Sequence, residues 1–142
     1  MKKFAAVLLV LLSFVCATAQ EERNAFLYKG SIDRMPVTMY LVENVTGCPT
    51  SYYYGIYKYD RVNKWLLLEI EYDQFHKMGM VENGITGFFS LTKKSDTLEG
   101  VWMSPDGKRV FKVQLKEVGT TSKSREQYEE ALDKAMYEAN GC

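Results

Sequence analysis

The amino-acid sequence predicts an all-β fold: an antiparallel meander of about eight strands curled into a small barrel or bent sheet, followed by one amphipathic C-terminal α-helix. Three observations carry this. From Phe26 to Val118, short runs rich in β-branched and aromatic residues alternate with turn-forming Gly, Asn, Asp and Pro. The breaks are too short for a crossover helix, so neighbouring strands run antiparallel. Near the C-terminus the apolar period changes from two to that of a helix.

The expected strands are Phe26–Ile32, Val37–Val42, Ser51–Tyr59, Trp65–Tyr72, Phe75–Val81, Thr86–Leu91, Leu98–Met103 and Val110–Leu115. Asp33-Arg34, Asp60–Asn63 and Lys94–Asp96 are polar connectors. Asn83-Gly84 is a two-residue hairpin signal, since both positions tolerate positive φ. Ser104-Pro105-Asp106-Gly107 places Pro and Gly where a tight turn wants them. Tyr128, Ala131, Leu132, Ala135, Met136 and Ala139 then share one face of a helix expected over Arg125–Ala139. Ser124 with Gln127 reads as its capping box, Thr120–Lys123 as the linker, and Asn140-Gly141 as its end.

The chain has 142 residues, of which 46% are hydrophobic and 25% charged, a composition that argues against disorder. Lys2 and Lys3, an almost continuously apolar Phe4–Val15, and Ala17-Thr18-Ala19 together read as a secretory signal peptide over residues 1–19. Its apolar stretch is too short for a membrane span, which needs roughly 20 residues. Acylation at Cys16 would need a small residue where Val15 stands. The short basic start points to a bacterial protein of the periplasm or exterior, and no later segment reads as a spanning helix. The domains expected are a leader at 1–19, an antiparallel β domain at 20–119, and a linker with a packed helix at 120–142. Lys+Arg and Asp+Glu each number 18, so no basic excess calls for nucleic acid.

Cys16 leaves with the leader, so Cys48 and Cys142 remain in an oxidising compartment and are expected to pair. Closing a loop of about a hundred residues contributes roughly 4–5 kcal/mol in the chain-entropy model. Free thiols or a bridge between chains are the alternatives. A metal site from Cys48, Cys142 and His76 has no ligand spacing behind it, and no cofactor is indicated.

Glycine recurs two residues ahead of a large apolar side chain in Gly30-Ser31-Ile32, Gly55-Ile56-Tyr57, Gly87-Phe88-Phe89 and Gly100-Val101-Trp102. Residues two apart share a face of a strand, so these glycines read as packing and bending devices of a curved sheet. The other reading is that they line a hollow for a ligand. The order YKGSIDRMPVTMYL, YYYGIYKY, NGITGFF and LEGVWMSPDGK, over residues 27–115, resembles a family of secreted bacterial all-β meander domains sometimes found beside lysozyme-inhibitor-like domains. Leu68-Glu69-Ile70 departs from that pattern, which has a Gly there, and so do Cys48-Pro49 and the added helix. The resemblance implies a meander fold and no catalytic residues. The Thr-Gly-x-Phe and Gly-x-Trp pieces are similar to strands of avidin-type barrels, but the biotin-contacting motifs are not matched.

By alternation Tyr53, Tyr57 and Tyr59 face one way with Gly55, and Tyr52, Tyr54 and Ile56 the other. Such a strand is either covered on both sides, one of them by the helix, or exposes an aromatic strip. Tyr52, Tyr54, Tyr57, Tyr59, Trp65 and Trp102 are accordingly the candidate ligand-binding residues, because tyrosine and tryptophan combine apolar area with a polar handle.

Catalytic signals are weak. His76 is the single histidine, near a turn, and Cys48 is expected to pair. Glu69 and Glu71 share a strand face with Asp73 close behind, a pair that could do acid–base work on a glycoside but also the ordinary signature of a solvated face. Phosphate-binding and dinucleotide motifs are missing from the sequence. Asn44-Val45-Thr46 is a glycosylation sequon, and Asp96-Thr97-Leu98 resembles an O-glycosylation triplet. The function expected is non-catalytic binding of a protein, glycan or small apolar ligand, an envelope-enzyme inhibitor being one example. The alternatives are a small carboxylate-dependent hydrolase and a self-assembling envelope protein. A monomer is expected rather than a dimer.

Overall fold

The structure, a computed structural model, describes residues 22–46 and 51–141. The leader, and the pairing of Cys48 with Cys142, lie outside the described residues.

Eight strands follow one another: β1 (Glu22–Ile32), β2 (Met35–Val45), β3 (Tyr52–Tyr59), β4 (Leu66–Tyr72), β5 (Lys77–Glu82), β6 (Phe88–Lys94), β7 (Thr97–Met103) and β8 (Val110–Val118). Each pairs antiparallel with the next, and β8 closes on β1 through the register Leu27↔Val118 to Ile32↔Val113. The meander is therefore a closed barrel without a free strand edge among the described residues. Helix α1 (Ser122–Asn140) follows. No helix among the described residues is long and apolar enough to cross a membrane.

Alternation along the strands builds two cores. Inward positions, including Tyr28, Met39, Tyr57, Leu68, Met80, Leu91, Trp102 and Val113, fill the barrel with apolar side chains. Outward residues of β1 to β3, namely Leu27, Tyr40, Val42 and Ile56, form a second core beneath Leu132 and Ala135 of α1. The aromatic strand β3 is thus covered on both faces, one of them by the helix. Helix and barrel are also joined by polar contacts. Tyr40 donates to Glu129 Oε1 at 2.5 Å, and Arg23 pairs with Glu129 Oε2 at 2.6 Å.

The strands run further than predicted where barrel pairing continues past the apolar run. β1 begins at Glu22, β2 extends to Val45, and β8 ends at Val118. Four strand starts move later, β3 and β4 by one residue and β5 and β6 by two. The Asp73 carboxylate accepts the Phe75 and Lys77 N–H groups, holding 73–76 as a turn so that β5 begins at Lys77. The Asn83-Gly84 hairpin is a longer connection than two residues. Glu82 N–H bonds Gly87 O, and the turn closes from Ile85 N–H to Glu82 O with Gly84 at φ +83. Ser104–Gly107 is the expected tight turn, with Gly107 at φ +69.

The helix begins three residues earlier than expected because the capping box is Thr121 with Ser124. The Thr121 side chain accepts the Ser124 N–H, and Ser124 Oγ accepts the Thr121 N–H. Gly30 and Gly100 sit where a Cβ would lie 2.0 Å from the carbonyl oxygens of Gln114 and Ser90. Those two glycines let neighbouring backbones close in at the bends of the barrel wall.

In a meander, alternate connections emerge at alternate ends. The turns after β1, β3, β5 and β7 lie at one end, here called the base. The β4–β5 and β6–β7 turns lie at the other, here called the mouth.

Candidate binding site

At the mouth, the inward alternation of four strands passes beyond the apolar core onto polar residues. Glu43 continues the Met39–Leu41 row of β2, and Tyr53 the Gly55–Tyr57 row of β3. Tyr72 continues the Leu68–Ile70 row of β4, and Lys93 the Phe89–Leu91 row of β6. Together with His76, Lys94 and Ser95 these four line an open cavity of about 440 Å³.

Its geometry is defined. Tyr53 donates to Glu43 Oε1 at 2.7 Å, and Asn24 Nδ2 donates to Glu43 Oε2 at 3.4 Å. Tyr72 Oη and His76 Nδ1 are hydrogen-bonded at 2.7 Å, with His76 held at φ +62 by the turn. The Tyr53 and Tyr72 rings meet at 4.9 Å. The Lys93 ammonium stands 4.4 Å from the Phe26 ring centre and 5.8 Å from that of Tyr53. Among the described residues it has no carboxylate within ion-pair distance.

Carboxylates act on the phenols at this end. Tyr28 is buried in the barrel core, and its phenol is pushed well above the ordinary value by burial and then by the Glu117, Asp96 and Glu43 carboxylates. Burial and the hydrogen bond to Glu43 raise Tyr53 in the same direction. Burial, Glu43 and Asp73 raise Tyr72. The rings therefore stay neutral and keep their electron-rich faces. Aromatic faces with carboxylates beside them attract organic cations, and here the chain's own Lys93 stands against those of Phe26 and Tyr53.

The candidate residues read from aromatic content do not form one surface. Tyr52 is exposed and stacks on Tyr54 at 6.3 Å. Tyr54 packs in the outer core and accepts from Arg23 Nε at 3.3 Å. Trp65 meets the helix residue Tyr128 edge-on at 5.9 Å, with Lys58 over its ring. Tyr57, Tyr59 and Trp102 belong to the barrel interior.

Tyr57 and Trp102 serve a buried carboxylate near the base. Glu82 accepts from Trp102 Nε1 at 2.7 Å, from Thr86 Oγ1 at 2.6 Å, and from Tyr57 Oη. Gly87 lies against this group, since a Cβ there would fall 2.4 Å from Trp102 Nε1.

The carboxylates considered for hydrolysis do not converge with the histidine. Glu69 and Glu71 are exposed on the outside of β4 and border a groove with Gly79, Val81 and Phe88. Asp73 is engaged by the N–H groups of its turn, and His76 by Tyr72. No three His, Cys, Asp or Glu side chains gather as a metal would need among the described residues. The Asp96-Thr97-Leu98 triplet lies at the β6–β7 turn, where Thr97 Oγ1 donates to Lys94 O at 3.1 Å.

Composition alone did not single out Glu43, Tyr53, Tyr72 or Lys93. The signal that marks them is alternation carried one step past the last apolar residue of each strand, at strand ends that a meander brings to one rim. Comparison of the chain with protein-family models, with curated proteins and with solved structures gives no match.

Proposed function

We propose that this chain is a non-catalytic binding protein acting outside the cytoplasm, and that its ligand presents a positively charged amine to the mouth of the barrel. One observation carries the reading. The Lys93 ammonium, with no carboxylate within ion-pair distance among the described residues, lies on the faces of Phe26 and Tyr53 in a cavity that Glu43 also lines. A lysine on a flexible stem is a placeholder that an incoming cation replaces, at a cost set by how fully it occupies the site. A small quaternary amine, an amino sugar or a lysine of a protein partner fits the same chemistry. Glu69 and Glu71 face outward, on the opposite side of β4 from Tyr72 and its partner His76, which supports binding rather than hydrolysis.

The test is a titration with choline, followed by the ring-proton NMR signals of Phe26, Tyr53 and Tyr72. The expected result is saturable shifts in those rings, about tenfold tighter binding in Lys93→Ala, and loss of binding in Tyr53→Ala. Absence of saturable shifts in both the parent and Lys93→Ala would overturn the cation reading. Weaker choline binding in Lys93→Ala would mean that the lysine shapes the site instead of occupying it, and would overturn the placeholder reading.

A further inference from the structure

We infer that the base of the barrel, opposite the mouth, docks onto an anionic phospholipid surface. Hairpin tips face water and are ordinarily polar. Here the chain around each of the four base connections exposes a large apolar residue: Met35 at 39%, Val62 at 51%, Ile85 at 62% and Val110 at 55%. The meander forces these connections to one end, so the four side chains ring it.

Ile85 gives an independent reason to read this ring as functional. It is held at φ +56, the left-handed region that a β-branched residue strongly disfavours. Its side chain is nevertheless mostly in water. Neither local preference nor core packing accounts for isoleucine there, and an exposed residue held against its backbone preference points to a role outside the folded core.

The charges fit the same partner. Arg34, Arg61, Lys64, Lys108 and Arg109 stand among the tips, and none of them has an ion-pair partner among the described residues. Asp33, Asp60 and Asp106 share this end. Asp60 accepts from Thr38 Oγ1 at 2.7 Å, and Asp106 from Ser104 Oγ at 2.6 Å and from the Lys108 N–H. Two of the three acids are thus engaged by the chain itself, while the cations remain available to phosphate.

The mouth also exposes an apolar residue, Phe75, but it sets Glu43, Asp73, Asp96 and Glu117 against Lys77, Lys93, Lys94 and Lys116, so it carries no cationic excess. An anionic surface would attract the base and leave the mouth facing solution. A bilayer suits four separate tips better than a protein does. The headgroup boundary deforms around each tip, whereas a protein partner must supply a matching pocket for every one. Met35, Pro36, Tyr59, Arg61 and Val62 also border a mainly apolar notch of about 340 Å³, where an acyl chain can lie beside a guanidinium. This inference is independent of the ligand proposed for the mouth.

The experiment is flotation of the purified protein with phosphatidylglycerol/phosphatidylcholine vesicles and with phosphatidylcholine vesicles alone. Binding is expected to the anionic vesicles only and to weaken with salt. The informative variant is Ile85→Gly. Glycine accepts the positive φ, so thermal stability should rise while vesicle affinity falls about tenfold. The double variant Arg61→Glu with Lys64→Glu should abolish flotation. Failure of the parent protein to float with anionic vesicles would overturn the inference, as would flotation unchanged in both variants. Equal flotation with both vesicle types would remove the electrostatic part and the commitment to anionic lipid with it.

Discussion

Glu82 shows how a single charged residue is tolerated inside an apolar barrel. Its side chain is almost fully buried, yet its two oxygens receive donors from Tyr57, Trp102 and Thr86. A carboxylate only accepts, which suits three surrounding groups that donate. Glu82→Gln replaces one oxygen by an NH2 that itself donates, leaving a donor without an acceptor. The expected loss is about 1–3 kcal/mol in urea unfolding, with the fold retained. An unchanged midpoint would mean that water enters and substitutes for the missing acceptor. The same environment accounts for Gly87, where a methyl group would push into both Trp102 and the carboxylate. In the sequence these positions read as a glycine, an aromatic residue and an acid in separate turns and strands. Their meeting depends on β3, β5 and β7, distant in the chain, presenting inward residues at one height of the barrel.

At the scale of elements, helix α1 illustrates what local patterning determines and what it leaves open. The stripe containing Leu132 and Ala135 faces the barrel as its spacing requires, and Tyr128 and Ala131 pack beside them. Met136, on the edge of the same stripe, is 37% exposed and lies outside the core under the helix. Two capping boxes are written near the helix start. Ser124 with Gln127 has the usual glutamine partner, but the Thr121 pair begins the helix a turn earlier, with Ser124 serving as the reciprocal acceptor. Thr121→Ala should therefore cost about 1 kcal/mol of stability, while Gln127→Ala should change the thermal midpoint little. The reverse ranking would place the helix start at Ser124. The mouth residues belong to this scale too. Glu43, Tyr53, Tyr72 and Lys93 were each on the inward face by alternation. Polar residues at strand ends ordinarily read as rim solvation, so nothing local distinguished them from a solvated edge.

For the whole molecule, closure of the barrel sets the environment of many tyrosines at once. Burial pushes the phenols of Tyr28, Tyr40, Tyr53 and Tyr57 far above their ordinary value of 10.0. Hydrogen bonds to carboxylates act in the same direction for the last three, at Glu129, Glu43 and Glu82. A phenol whose pKa is higher folded than unfolded stabilises the fold fully below about pH 10. That contribution is lost as pH rises from there toward the folded value. Stability should thus be lost at alkaline pH. These four side chains should ionise together with loss of circular dichroism rather than before it. Stepwise, reversible tyrosinate formation in a barrel that keeps its dichroism would contradict the burial described above. Closure also bears on self-assembly through a strand edge, since the β1–β8 pairing leaves no edge free among the described residues.

The sequence by itself determined the class of fold. Period-two runs, short turns and a late change to helical period can be read locally, because each depends only on residues a few positions apart. It divided β3 between a face with Tyr53, Tyr57 and Tyr59 and a face with Tyr52, Tyr54 and Ile56, without saying which was inward, and left the glycines open between packing and the lining of a hollow. Only the tertiary structure decided that β8 meets β1, that the helix covers the outside of β1 to β4, and that Trp102 and Tyr57 converge on Glu82 instead of forming a surface. It likewise decided that the polar ends of four inward rows surround Lys93 at the mouth, while four apolar hairpin positions ring the base. Those outcomes depend on the register and closure of the whole sheet. Shifting any one strand by a single residue would turn its inward row outward and dissolve both ends together.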